Sequence, residues 1–172
     1  ALGYDVTCLE RYVVGRQFEG VNINVVHADL NDYVAIKEVV SKLQPDIVVH
    51  LAAISPVAYS YDHWSEVLKT NFAATANFAE VCRTTIKNLK QFVFAGTSEE
   101  YGQQTEFPIR ENADLKPNSP YAVSKVAADK YLRMLWDAYQ FPITVMRPFN
   151  SYGRKGNVHF VTEKIIYQML TN

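Results

Sequence analysis

The order in which short apolar runs and helical patterns follow one another limits this chain to very few folds. The run Ile47-Val48-Val49-His50-Leu51 is apolar at successive rather than alternate positions. That pattern predicts an inner parallel strand covered by helices on each side. Runs 6–9 and 23–26, bounded by Gly, Asn or Asp, read as two further strands, and 92–95 and 143–146 complete the set. Between them, Val34, Ile36, Val39, Val40 and Leu43 recur at helical spacing with Pro45 just beyond, which predicts a helix over 32–43. Further helices are expected over 64–85, 120–139 and about 160–170. Strict alternation of strand and helix implies an α/β fold with a doubly wound, mostly parallel sheet and right-handed crossovers. Segment 97–118 is polar and too long for an ordinary connection. Loops of that size in compact domains are usually functional, and this one belongs at the carboxyl edge of the sheet.

Composition narrows the function classes. The 172 residues are 48% hydrophobic, enough for one core, and 17 basic against 18 acidic side chains leave a net charge of -1. Such a balance gives no electrostatic footprint for nucleic acid. Every apolar run is far shorter than the roughly 20 residues needed to cross a bilayer, and residues 1–6 lack a secretory pattern, so no membrane partner and a cytoplasmic location are expected. Cys8 and Cys82 suit reduced core thiols better than a disulfide. His27, His63 and His159 are scattered without ligand spacing, so no metal site is expected, and His50 reads as a hydrogen-bonded structural residue. Trp64 and Trp136, spaced with other apolar residues, are expected to pack.

The chemistry concentrates at Tyr121 and Lys125. On a helix, positions i and i+4 share a face one turn apart. A tyrosine titrates near ~10, and an ammonium beside it favours the phenolate, making Tyr121 a base for a sugar hydroxyl. Pro117-Asn118-Ser119-Pro120 sets the start of that helix, and Thr97-Ser98-Glu99 ends a strand upstream.

Four stretches together resemble the extended short-chain dehydrogenase/reductases, the nucleotide-sugar epimerases, dehydratases and decarboxylases. They are His50-Leu51-Ala52-Ala53, Thr97-Ser98-Glu99-Glu100-Tyr101-Gly102, Ser119-Pro120-Tyr121-Ala122-Val123-Ser124-Lys125, and Arg147-Pro148-Phe149-Asn150-Ser151-Tyr152-Gly153. The resemblance implies a Rossmann-like domain in which Tyr121 removes the proton from the sugar C4 hydroxyl while hydride leaves C4 for a nicotinamide. Lys125 would hold the nicotinamide ribose and lower the pKa of Tyr121, and Thr97 would bond the same C4 oxygen. Asp29, with Leu30 beside it, would meet the adenine; Ala52, Ala53 and Phe149 would line the cofactor, and Asn150 the nucleotide-sugar. Glu99 is similar to the carboxylate with which dehydratases take the C5 proton once C4 is a ketone. Ser98 stands where thymidine-diphosphate-glucose dehydratases have an aspartic acid, as in GDP-mannose 4,6-dehydratases, which Phe160-Val161-Thr162-Glu163-Lys164-Ile165 also resembles. The expected activity is therefore a nucleotide-sugar 4,6-dehydratase, a lyase. UDP-glucuronate decarboxylation and 4-epimerisation are the alternatives, and a non-catalytic dinucleotide-binding module or inactive fragment is the reading from another class. Glu10, at the end of its strand, favours NAD by accepting bonds from the adenosine ribose, while Arg11 and Arg16 leave NADP open. By the same resemblance, a homodimer would form through the helices near 64–85 and 120–139.

No glycine-rich turn of the kind that lets a backbone approach a pyrophosphate is present, and 1–6 look like the end of a helix entering a second strand. The chain is thus expected to be a partial dinucleotide-binding domain over 1–172, incomplete at both ends, with 147–172 leading toward a substrate domain. The slot of a first strand would then be open.

Overall fold

A computed structural model describes residues 3–11, 23–150 and 161–171. Five strands lie in two parallel sheets. Strands β1 (Thr7–Glu10) and β2 (Asn24–His27) form one, and β3 (Ile47–His50), β4 (Gln91–Ala95) and β5 (Ile143–Met146) form the other in that order. All pairings are parallel, with Leu9 beside Val26, Val48 beside Phe92, and Phe94 beside Val145. Among the described residues no strand joins β1 to β3.

The helices begin and end where side chains can satisfy their free backbone groups. Asp32 caps α1 (Tyr33–Leu43), accepting from the amides of Val34 at 3.1 Å and Ala35 at 3.0 Å. Ser119 caps α5 (Pro120–Tyr139), accepting from Ala122 N at 3.1 Å, and Pro120 enters the first turn, where its missing N–H costs nothing. Both helices close on a glutamine in the left-handed region, Gln44 and Gln140.

Two details depart from the sequence reading. A short helix α2 (Val57–Asp62) precedes the expected one, and 64–85 is divided into α3 (Trp64–Leu68), a π turn (Lys69–Ala73) and α4 (Ala74–Thr85). The wider turn contains buried Asn71, whose side chain accepts from Ile54 N at 2.8 Å and donates to Ile54 O at 3.0 Å. Such single-turn bulges commonly occur at functional positions. Second, the described helices cover β3 on one face only. Val48 and His50 are buried, whereas Ile47, Val49 and Leu51 are 46%, 56% and 65% exposed. The topology explains this: β3, β4 and β5 advance in one direction, so right-handed crossovers place their helices on the same side of the sheet. There α1, α4 and α5 enclose Ile36, Val40, Phe78, Val81, Phe92, Phe94, Leu132 and Leu135. Trp64 and Trp136, expected to pack, are instead 57% and 47% exposed.

The last helix, α6, runs over Val161–Thr171. Both cysteines are free thiols, Cys82 buried and Cys8 half-buried. Arg16, Ser151, Tyr152, Gly153, His159 and Phe160 lie outside the described residues.

Candidate active site at the carboxyl ends of β4 and β5

Because β3, β4 and β5 are parallel, the segments that leave them, beginning at Leu51, Gly96 and Arg147, meet at one edge of the sheet. After β4 the chain passes through Gly96 into Thr97, which caps a single turn of 3-10 helix (Ser98–Glu100) by accepting from Glu99 N at 3.3 Å. Gly96 is required there. A Cβ would collide with the Glu100 carboxylate and stand 2.9 Å from Met146 O, so only a residue without a side chain lets the strand end approach so closely.

Helix α5 faces this turn. Tyr121, Lys125 and Asp129 are spaced four apart along one stripe and are all buried. The Thr97 hydroxyl lies near enough to the Tyr121 phenol to act on its pKa, so the sequence-predicted base and its hydroxyl partner lie at the same edge. Burial pushes the Tyr121 phenol above its ordinary value; the Thr97 hydroxyl pulls it down, and the charges of Glu100 and Glu99 add to the rise. Lys125 is not among the groups that shift this phenol. Lys125 donates to Ala95 O at 2.8 Å and lies over the Phe94 ring, 4.9 Å from its centroid. Desolvation outweighs the Glu100 charge there and brings its ammonium down to about 8.

The other predicted residues distribute along the same edge. Ser98 and Glu99 are half-buried on the turn beside Thr97. Phe149 is exposed and stacks on Tyr101 with centroids 6.3 Å apart, and Asn150 is exposed next to it. Ala52 and Ala53 follow β3, Ala52 exposed and Ala53 half-buried. Glu10 ends β1 and pairs with His27 of β2 at 3.7 Å. Asp29 follows β2, accepting from Asn31 N at 2.8 Å and Asn31 Nδ2 at 3.0 Å, and this turn holds its carboxyl below the usual range. Leu30 packs against the core. His50 has the structural part expected of it: its Nε2 shares a hydrogen bond of 2.8 Å with Thr75 Oγ1, and burial among Phe78, Phe92 and Phe94 brings its pKa down to about 3. No cluster of metal-ligating side chains occurs among the described residues.

The sequence reading missed a buried ionic network. Glu100, fully buried, accepts from Thr97 N at 3.0 Å and from Arg147 Nε at 2.8 Å. Arg147 also pairs with fully buried Asp129, which in turn accepts from Arg133 at 2.5 Å. The available signal was the pair of consecutive acids, Glu99 and Glu100, followed by a lone arginine at the end of β5.

Residues 5–172 match the family model described as GDP-mannose 4,6 dehydratase. The chain belongs to that family. It is 33% identical over 159 residues to a probable dTDP-glucose 4,6-dehydratase of Sinorhizobium fredii, covering 88% of this chain and 44% of the relative. Among solved structures, the UDP-glucose 4-epimerase of Thermotoga maritima, determined with UDP-glucose, superposes with a TM-score of 0.81 at 28% identity, covering 90% of this chain and 50% of that one. DesIV, the dTDP-glucose 4,6-dehydratase of Streptomyces venezuelae determined with NAD bound, gives 0.80 at 26% identity, over 87% of this chain and 45% of that one. The chain thus spans half or less of the length of these relatives, and dehydratases and 4-epimerases occur among them side by side. The fold is Rossmann-like, as these neighbours share it.

Proposed function

We propose that the protein carrying this chain is an NAD-dependent nucleotide-sugar 4,6-dehydratase. The observation that supports this best is the buried Tyr121 beside buried Thr97 at the tip of β4, with Glu99 on the adjoining turn. Tyr121 takes the proton from the sugar C4 hydroxyl, and Thr97 orients the same oxygen. A bound nicotinamide would accept the hydride from C4 and give it back at C6 after the C6 hydroxyl leaves, so the cofactor is not consumed. The chain's groups suit such a cofactor: Lys125 offers a buried ammonium for ribose hydroxyls, Glu10 an acceptor at the end of β1, and Asp29 a carboxylate at the end of β2. Glu10 favours NAD over NADP, since a carboxylate repels a 2′-phosphate. Once C4 is a carbonyl, the C5 proton becomes acidic, and Glu99 on the half-buried turn is the base within reach of that region. Ser98 assists the leaving hydroxyl at C6. The dehydratase family model and the acid at position 99 favour this outcome over 4-epimerisation. Phe149 and Asn150 would face cofactor and nucleotide, and a homodimer through 64–85 and 120–139 fits the exposed Trp64, Val123, Met134 and Trp136 on those segments.

The deciding experiment incubates the intact protein with NAD and, separately, GDP-mannose, dTDP-glucose, UDP-glucose and UDP-glucuronate. A 4-keto-6-deoxy product is expected from one of the hexoses, and Tyr121→Phe should lower its rate at least about a hundredfold. Interconversion of UDP-glucose with its C4 epimer, without a keto product, would assign 4-epimerase activity instead.

A further inference from the structure

We infer that Glu100, together with Arg147, is a positioning residue that fixes the Thr97–Glu99 turn against Tyr121. The inference rests on the reading of Tyr121 as the base. Glu100 joins the three elements that build the site. One carboxylate oxygen accepts from the Thr97 amide at 3.0 Å, and the other accepts from Arg147 Nε at 2.8 Å. Arg147, at the end of β5, reaches Asp129 on α5 with a second nitrogen. Its third donates to Tyr101 Oη at 3.1 Å and to Glu111 O at 3.2 Å. The Thr97 amide is therefore tied to the helix carrying Tyr121 through two buried carboxylates and one guanidinium. Lys116 N also donates to Glu100 O at 3.0 Å, which anchors the far end of the long polar segment to the same residue.

Two features separate this from a stability device placed by chance. A Cβ at Gly96 would collide with the Glu100 carboxylate, so the strand end leaves room for it. And the neighbouring acids have different surroundings: Glu99 is half-buried on the open side, whereas Glu100 is fully buried and has both oxygens engaged. A locked carboxylate is poorly suited to moving protons but well suited to holding a backbone.

The groups acting on Tyr121 are the Thr97 hydroxyl, Glu100 and Glu99 from the turn; Lys125 and Asp129 lie farther along its own helix, and Arg147 pairs with both Glu100 and Asp129. His50, buried behind Lys125, is neutral above pH of about 3. Two variants divide the roles of Glu100. Glu100→Asp keeps the charge but withdraws it by one methylene from the Thr97 amide. Turnover of whichever sugar nucleotide the wild type consumes should fall about tenfold in kcat, with KM within about twofold. Glu100→Gln keeps the reach but removes the negative charge. Phenolate ionisation of Tyr121, isolated as the difference spectrum against Tyr121→Phe, should then move to lower pH.

An unchanged kcat in Glu100→Asp, or an unmoved Tyr121 titration in Glu100→Gln, overturns the inference. If Glu100→Gln fails to fold, Glu100→Asp decides alone through the split between kcat and KM. If Tyr121→Phe leaves turnover intact, the base assignment falls instead, and the titration still tests the coupling of Glu100 to Tyr121. A wild type that consumes none of the sugars leaves that same titration as the deciding measurement.

Discussion

At the scale of single residues, groups kept for chemistry oppose those kept for folding. Lys125 is 3% exposed and has one backbone carbonyl, Ala95 O, and the Phe94 face as neighbours. Its folded pKa of about 8 lies below the ordinary 10.5, so the unfolded chain holds the proton more tightly. Stability tied to this group is therefore full above pH 10.5 and is lost as pH falls toward about 8. At neutral pH the lysine is a net cost, offset in part by its hydrogen bond. Lys125→Met keeps the stem in place over Phe94 and removes the ammonium. It should raise stability at pH ~7 by about 1 kcal/mol in urea unfolding while lowering turnover by at least about a hundredfold. A destabilised variant would mean that the bond to Ala95 outweighs the desolvation.

At the scale of elements, one helix start was legible from its own residues: Pro117-Asn118-Ser119-Pro120 marked the beginning of α5, where Ser119 caps and Pro120 enters the first turn. Apolar spacing placed Asp32 inside α1, whereas it caps that helix through the amides of Val34 and Ala35. The π turn within 64–85 was not legible. It depends on Asn71 bonding to Ile54 and to Ser124 Oγ at 3.2 Å, partners 17 and 53 residues away, and no local pattern encodes that. The candidate site divides similarly. Tyr121 and Lys125 followed from helical spacing and Thr97 from the family resemblance, but Glu100, Asp129 and Arg147 meet only once three elements have packed. Two substitutions measure what these junctions contribute. Ser119→Ala removes the cap of α5 and should cost about 1 kcal/mol, seen as an earlier urea midpoint. Gly96→Ala places a methyl against the Glu100 carboxylate and Met146 O, backbone and buried charge that cannot easily give. It should cost more, about 2 to 3 kcal/mol, and lower turnover through the displaced Thr97.

At the scale of the whole molecule, the sheet's alternating sequence specified the parallel arrangement, but which faces are covered depended on the direction of the crossovers. The continuous run at 47–51 looked buried on both sides, and the described helices cover only the Val48 and His50 side. That covered core carries a titratable group at its centre, and this sets an acid limit on the fold. His50 lies among three phenylalanines, and its pKa falls from 6.5 to about 3. The unfolded chain therefore binds a proton that the folded chain refuses between those values. Stability from this group is complete above pH 6.5 and declines as pH falls toward about 3. By pH ~5 the loss amounts to about 2 kcal/mol, since each pH unit below the unfolded pKa costs about 1.4 kcal/mol. His50→Phe should suit the aromatic surroundings but orphan the Thr75 hydroxyl, costing about 1 kcal/mol at pH ~7. The same variant no longer has a proton to gain. Urea unfolding of wild type and variant at pH ~7 and pH ~5 should show the two stabilities crossing, with the variant the more stable in acid. Parallel decline of both proteins would place the acid sensitivity elsewhere than in His50.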